Sequence, residues 1–582
     1  MSKLNIDQKS VKELFSDKKS DFLIPDYQRP YAWGEQECQT LWDDLFTFAF
    51  PDEDSDKFDR DTDEYFLGPI VTFKNDDGKL EIIDGQQRLT TLMLLLRAFY
   101  AQYGGMKDQK SIKTSKMIEQ CLWKTDEFGD PDKTALKINS EVISEKEKNE
   151  FLNILKTGEI DSTIDSNYQR NYRFFQNKIL DFQRVYPDYF SLFPVRIMNN
   201  SILLPIEAES QDTALRIFST LNDRGKPLSD ADIFKAQFYK HFSQQGEKAK
   251  FIERWKNLET LSNSIFRPIS GTPMDELFTR YMYYERAKQG LKSSTTEALR
   301  KFYERDGYKL LKKDETFDNL EDLASFWNDV LDQDSNRFSD RVLRRLYVLN
   351  YAPNGMWTYI VSVYYMTNRD ENGMLDDEAF YNFLNKITGF IWTYAVTNPG
   401  VNALRTPIYA EMVNIINKQP VEFKDYPYNV EHVQSVFNNF SFKNNRAITK
   451  SMLTWWAFED PEQKLLPLET QVEIEHIYAR NRQEKEHSLT NAKNIENLGN
   501  KALLEKRINI RASDYRFEDK KKYYLGYKNS RNKEIEGTSI KELADLALSN
   551  NDYTEADILQ RNAKIISGFI NYLNRNDLLE KV

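Results

Sequence analysis

Cysteine is almost missing from this chain: Cys38 and Cys121 are the only two in 582 residues. They lie far apart and match no metal-ligand spacing, so a disulfide framework is excluded and two reduced core thiols are expected. Long apolar runs are missing too. The stretches at 92–96 and 388–396 fall well short of the ~20 residues that span a bilayer, so no membrane partner is expected. The first residues, MSKLNIDQKS, lack a basic-then-apolar leader pattern, and a cytoplasmic protein is expected. Positive charge is not in excess, since the net charge is −11. That argues against a protein that coats nucleic acid indiscriminately. It leaves a nuclease open, because the local field at a site decides binding there. Internal repeats and low-complexity linkers are lacking as well.

What is present can build several cores. Hydrophobic residues make up 40% and aromatics 13%, which excludes a disordered scaffold despite 29% charged residues. At ~150 residues per domain the length predicts roughly three or four units. The pattern predicts an α+β, predominantly helical chain in three parts. Residues 1–242 mix short strands with helices: 65–73 and 80–83 read as strands around a turn containing Asp77-Gly78, 89–103 as a helix, 202–206 as a buried strand, and 106–170 as a polar, mostly helical insertion. Residues 243–460 read as long amphipathic helices, for example 274–287 and 376–394, with no catalytic constellation; His432 reads as a surface or packing residue. Residues 461–582 carry a second motif and terminal helices.

Two segments of the first part bear chemistry. Residues 24–33 read IPDYQRPYAW. Pro25 and Pro30 hold the segment extended, and Tyr27, Gln28, Arg29, Tyr31 and Trp33 could stack on a base and bind a phosphate, or equally form an aromatic core hook. Residues 82–92 read IIDGQQRLTTL. A strand runs into Asp84-Gly85 and a helix follows, whose unpaired N–H groups suit a phosphate. Asp84 could bind Mg²⁺ or orient a water, and Gln86, Gln87 and Arg88 could touch phosphate oxygens. P-loop spacing is absent, and strand–turn–helix is also a common structural unit. A third piece, residues 218–237, predicts a turn at Asn222-Asp223-Arg224-Gly225, then a helix capped by Ser229 or Asp230 and carrying Asp232 and Lys235.

In this order the three pieces resemble the N-terminal domain of the GmrSD-type, modification-dependent (type IV) restriction endonucleases, whose hallmark is Asp-Gly-Gln-Gln-Arg. The likeness covers about residues 10–240 and implies a ParB/sulfiredoxin-like α/β unit. It implies binding and hydrolysis of a nucleoside triphosphate (GTP, ATP or UTP) and a role in sensing modified DNA. Asp84, Gly85, Gln86, Gln87 and Arg88 carry over as the nucleotide or catalytic motif, and Tyr27, Gln28 and Arg29 as a second motif.

The third part holds VEIEHIYA at 472–479, with Val472 and Ile474 alternating with Glu473 and Glu475 as in a short strand. Phosphodiester hydrolysis needs an activated water and a cation on the phosphate. A histidine can take the water's proton and a neighbouring carboxylate can hold a hard divalent ion. Strict strand geometry sends neighbours to opposite faces, so Glu475 and His476 serve one site only if the strand ends or twists there. Downstream lie Asn497-Leu498-Gly499-Asn500, then Asn509, Ser513, Phe517 and Lys520. From 501 to 533, eleven Lys/Arg stand against four Asp/Glu. This skeleton resembles the C-terminal HNH (ββα-metal) nuclease module of the same family. The resemblance implies His476 as general base, Glu475 and Asn509 as ligands of Mg²⁺ or Mn²⁺, Asn500 as the residue that positions the histidine, and Lys520 and Arg507 as contacts to DNA. The sequence departs from it in having Glu475 where Asp is frequent and Ala479 where Pro is frequent; His487 reads as a surface residue.

Together these imply an anti-phage endonuclease acting on double-stranded, modified phage DNA, with nucleotide binding and DNA sensing coupled to metal-dependent cleavage. A homodimer is left open. Two other readings remain: a nucleotide-dependent regulatory or DNA-binding protein with a vestigial nuclease, and a triggered nuclease of broad specificity.

Overall fold

The structure is a computed structural model that describes all residues except 1–4, 7, 19, 29, 105, 129, 142–144, 162–164, 222–228, 294–296, 401–402 and 582; for 5, 6, 145–148, 212, 216 and 219–221 only the backbone is described. Arg29 and the turn expected at Asn222–Gly225 lie outside the described residues. Met1–Lys256 and Asn257–Val582 form two compact units. The fold class is α+β and predominantly helical, as the sequence pattern predicts.

The first unit is built on a seven-stranded mixed sheet. Its long strand, Tyr65–Lys74, runs antiparallel to Leu80–Asp84 and parallel to Ser201–Ala208. The turn between the first two closes on Asn75, whose side chain accepts from the Lys79 N–H at 2.9 Å. The helix that follows is Gln86–Tyr103. Its apolar residues occupy nearly every face, and almost all its side chains are buried. Such a helix belongs in a core, and it packs between Asn167–Val185 and Gln109–Leu122. Rings of Trp42, Phe182 and Phe193 close the same core.

The stretch expected as a mostly helical insertion does more than add helices. It holds Gln109–Leu122 and Glu145–Thr157, and also the strands Trp123–Thr125, Pro131–Leu136 and Ile138–Ser140. The last pairs parallel with Phe22–Ile24 at the sheet edge. The polar composition hides this because the apolar residues that decide it are few: Trp123, Leu136 and Ile138 are buried. Cys38 and Cys121 are buried free thiols, each pushed up to about 12 by burial, and so inert at neutral pH.

In the second unit the expected helices extend slightly, to Pro273–Lys288 and Asp377–Thr397. Thr272 and Asp275 form a reciprocal cap at the first, satisfying N–H groups that the helix leaves open. The break read near residue 460 is not a gap in packing. Trp455, on helix Ala447–Glu459, sits against Phe569 and Tyr572 of the C-terminal helix Glu555–Arg575, at 4.8 and 5.4 Å between ring centres. The segment with the Glu-His motif therefore shares a core with helices that precede it. His432 is exposed.

Candidate active site

The Asp-Gly-Gln-Gln-Arg turn forms as the sequence reads. Leu80–Asp84 ends at Gly85, which adopts φ +94°. A β-carbon there would lie 3.1 Å from the Ile70 side chain, so both conformation and space favour glycine. No side chain caps the helix that starts at Gln86. Most of the motif's side chains face inward. Gln87 accepts from the backbone N–H groups of Ala32 and Trp33, at 2.7 and 3.2 Å, and donates to the Pro30 carbonyl. Gln28 donates to the carbonyls of Ile82 and Ile83 at 3.4 and 3.3 Å. The two motifs, more than fifty residues apart in sequence, are thus stitched together by amides. Tyr27 donates to Glu81 at 3.0 Å and packs at a tilt against Tyr239; burial holds its hydroxyl well above the usual range. Gln86 is buried. Arg88 donates to the Pro69 carbonyl at 2.9 Å, and burial lowers its pKa against the pull of Asp84.

In the second unit, Val472–His476 pairs antiparallel with Lys501–Glu505. The helix Lys506–Ala512 follows directly and packs on both strands. The pairing is regular to its end: Glu475 lies opposite Ala502 and His476 opposite Lys501, and Ile477 N–H continues the ladder to Asn500 at 2.9 Å. Neighbouring side chains therefore project to opposite faces, and Glu475 and His476 do not meet on one.

His476 is the chemically open group. Its Nε2 is buried and has no hydrogen-bond partner. Burial, reinforced by the Lys501 charge, takes its pKa down from 6.5 to about 3. The imidazole is therefore neutral at pH 7, and in this closed arrangement it is a weaker base than a solvated histidine. Across the ladder, Lys501 is fully buried and donates to Glu496 at 2.7 Å and Asn444 at 2.6 Å. Against burial, Lys501 and Arg480 hold Glu496 below the usual carboxylate range.

Glu475 is 3% exposed. Its Oε1 accepts from Lys520 at 2.7 Å and from the Tyr524 hydroxyl, and burial raises its pKa despite both. Lys520 also donates to the His476 carbonyl at 2.6 Å. Expected on a DNA phosphate, Lys520 is instead 1% exposed and ties the two motif residues together from beneath. Asn500 is completely buried. Its amide accepts from Tyr478 N–H at 2.7 Å and donates to the carbonyls of Tyr478 and Ile495, so it braces the strand's exit rather than the imidazole itself. Asn509 is half-buried on the following helix, Arg507 beside it is exposed, and His487 is exposed.

A divalent ion finds only part of its expected shell. No cluster of three His, Cys, Asp or Glu among the described residues could hold a metal. Asn509, half-buried on helix Lys506–Ala512, carries an amide oxygen of the type such an ion takes. Glu475 keeps Oε2 alone, on the face opposite His476, so the three groups do not converge as placed.

Several residues that shape the site carried no local signal. Arg561, buried on the C-terminal helix, donates to the carbonyls of Leu498, Gly499 and Lys501 and pairs with Glu542. Tyr553 donates to the Gly499 carbonyl at 2.6 Å. Gly499 approaches this helix so closely that a β-carbon would lie 1.9 Å from the Ile558 carbonyl. Only the fold brings these groups within reach of a turn fifty residues away; the short Leu-Gly-Asn run was the one available hint.

No helix among the described residues is long and apolar enough to cross a membrane. The comparison with curated proteins returned no match. Residues 11–239 match the GmrSD restriction endonuclease N-terminal domain, and residues 416–567 match the C-terminal domain of the GmrSD restriction endonucleases. Both matched regions contain the geometry just described, and together they span more than half of the chain: it belongs to the GmrSD restriction endonuclease family, with DNA as the partner that this activity implies.

Proposed function

We propose that His476 is the general base of an HNH-type phosphodiester hydrolase, and that nucleotide binding at Asp84–Arg88 controls cleavage of modified DNA. The observation that carries the first half is the buried, partnerless and neutral Nε2 of His476. In that role Nε2 takes the proton of the attacking water once the site opens to admit it. Two antiparallel strands followed by a helix packed on both support the ββα reading. Lys520, Asn500 and Lys501 act as positioning residues: they hold the His476 carbonyl, the Tyr478 backbone and the opposite strand. Mg²⁺ or Mn²⁺ would supply charge neutralisation at the phosphate, and Asn509 would offer it an amide oxygen. Arg507 and the exposed basic residues after it suit the DNA backbone.

For the first unit, an uncapped helix start beside Gly85 supports phosphate binding, with Arg88 one turn in and bonded to the Pro69 carbonyl. Dependence on modified DNA, and a role in phage defence, rest on the family likeness.

Plasmid and phage DNA, modified and unmodified, incubated with Mg²⁺ or Mn²⁺, with and without nucleotide, test the reading beside His476→Ala and Arg88→Ala. Cleavage confined to modified DNA, lost in His476→Ala with nucleotide turnover retained, is the expected result. Arg88→Ala is expected to lower turnover. Cleavage of all DNA would favour a broadly acting nuclease. No cleavage of any substrate would favour a regulatory protein.

A further inference from the structure

A cavity of about 600 Å³ opens in the second unit, lined by none of the residues assigned above. Tyr394, Phe440 and Ile391 give it flat and aliphatic walls, and Arg405, Arg446 and Asn398 give it polar groups. No carboxylate lines it among the described residues. Among the described residues neither arginine forms an ion pair of the kind that fixes Arg345 to Glu459 or Arg561 to Glu542 elsewhere in this unit. The Arg446 guanidinium lies 4.6 Å over the Phe440 ring. In a chain with net charge −11, two cations and no anion around one hollow is a selective arrangement. The size matches a small-molecule site with apolar walls and few polar groups.

We propose that this cavity binds a nucleotide: a planar base lying against the apolar wall of Ile391, Tyr394 and Phe440, and a phosphate held by Arg405 and Arg446. That chemistry has two sources, a free nucleotide or a nucleotide turned out of the DNA duplex, the second being a route by which an enzyme reads a base away from its partner. The inference stands independently of the nucleotide site proposed at Asp84–Arg88. The cavity wall also reaches the candidate active site. Its segment from Phe440 to Arg446 includes Phe442, whose N–H donates to the Glu496 carbonyl at 3.1 Å, and Asn444, which accepts from Lys501 at 2.6 Å. Lys501 lies directly across the ladder from His476. An occupant pressing on this wall bears on the groups that surround the imidazole.

Photo-crosslinking of the full chain tests this with two probes, 8-azido-ATP and a short duplex carrying one 5-iodo-2′-deoxyuridine, followed by peptide mapping. Label on 391–405 or 440–448 is expected from one probe, and which probe gives it identifies the source. Arg405→Gln with Arg446→Gln is expected to cut that label by at least about ten-fold, the loss of one charge-assisted contact, while any label at 82–103 is unchanged. Arg446→Gln alone, at an exposed position, serves if the double variant melts early. No label in either segment from either probe, or label indifferent to the arginines, overturns the proposal.

Discussion

The turn at Asp84–Arg88 and the hairpin at Val472–Glu505 are built from the same kinds of residue and leave different things open. In the first, Gln28 and Gln87 give their amides to backbone groups of the other motif, so the polar side chains are mostly mortar. In the second, Asn500 does the same for Tyr478, yet the neighbouring imidazole is left buried and without a partner. Amides with both a donor and an acceptor are suited to sealing backbone in a core. An unsatisfied buried nitrogen has a cost, which the proposal that His476 acts as a base would explain. Motif residues are therefore not equivalent in what they bond to: Gln28, Gln87 and Asn500 seal backbone, and the His476 imidazole does not.

The largest effect should come from the imidazole. His476→Ala is expected to lower cleavage by about 10²–10⁴-fold, the range of general-base catalysis, with no loss of thermal stability. An early melt would show that His476 is mortar too. Next is Lys520→Met. It leaves Glu475 buried without its cation and should destabilise the second unit by about 3–5 kcal/mol, read as urea unfolding. An unchanged midpoint would mean that Glu475 has another partner, such as a bound ion, in solution. Gln87→Ala and Asn500→Ala should each cost about 1–3 kcal/mol, the penalty for exposing unpaired buried backbone groups. Protease resistance of the two units separately would report which one loosens. Cleavage retained in Asn500→Ala would assign it to structure alone.

The smallest effect concerns pH. Glu555 accepts from the backbone of Asn491 and Thr490 and from the Asn494 amide, which takes its pKa from 4.5 to about 2. A depressed carboxylate stabilises the fold above its unfolded value, so the contribution is complete above about pH 4.5 and lost as pH falls toward 2. Glu555→Gln should flatten the fall of melting temperature between those limits, and a parallel fall in both proteins would refute the link.

Legibility followed the range of the forces. The strands at 65–74 and 80–84, the glycine between strand and helix, and the Ser229 cap were readable because each depends on neighbours a few residues away. The alternation at 472–476 was readable too, and it carried the condition that Glu475 and His476 serve one site only if the strand ends or twists there. The strand ends at His476, with the register regular up to that residue. Less was visible where few apolar residues sit among many charges, as in the 123–140 strands, and nothing local pointed to Arg561 or Tyr524.

By itself the sequence determined the helical character, the two motif-bearing turns and the identity of the groups able to do chemistry, because period, turn residues and side-chain type are local properties. The tertiary structure decided which of those groups stay open. Burial and long-range partners took Lys520 for Glu475 and Asn500 for Tyr478, and they lowered the pKa of His476, because desolvation and hydrogen-bond satisfaction depend on residues that meet only when the chain has folded.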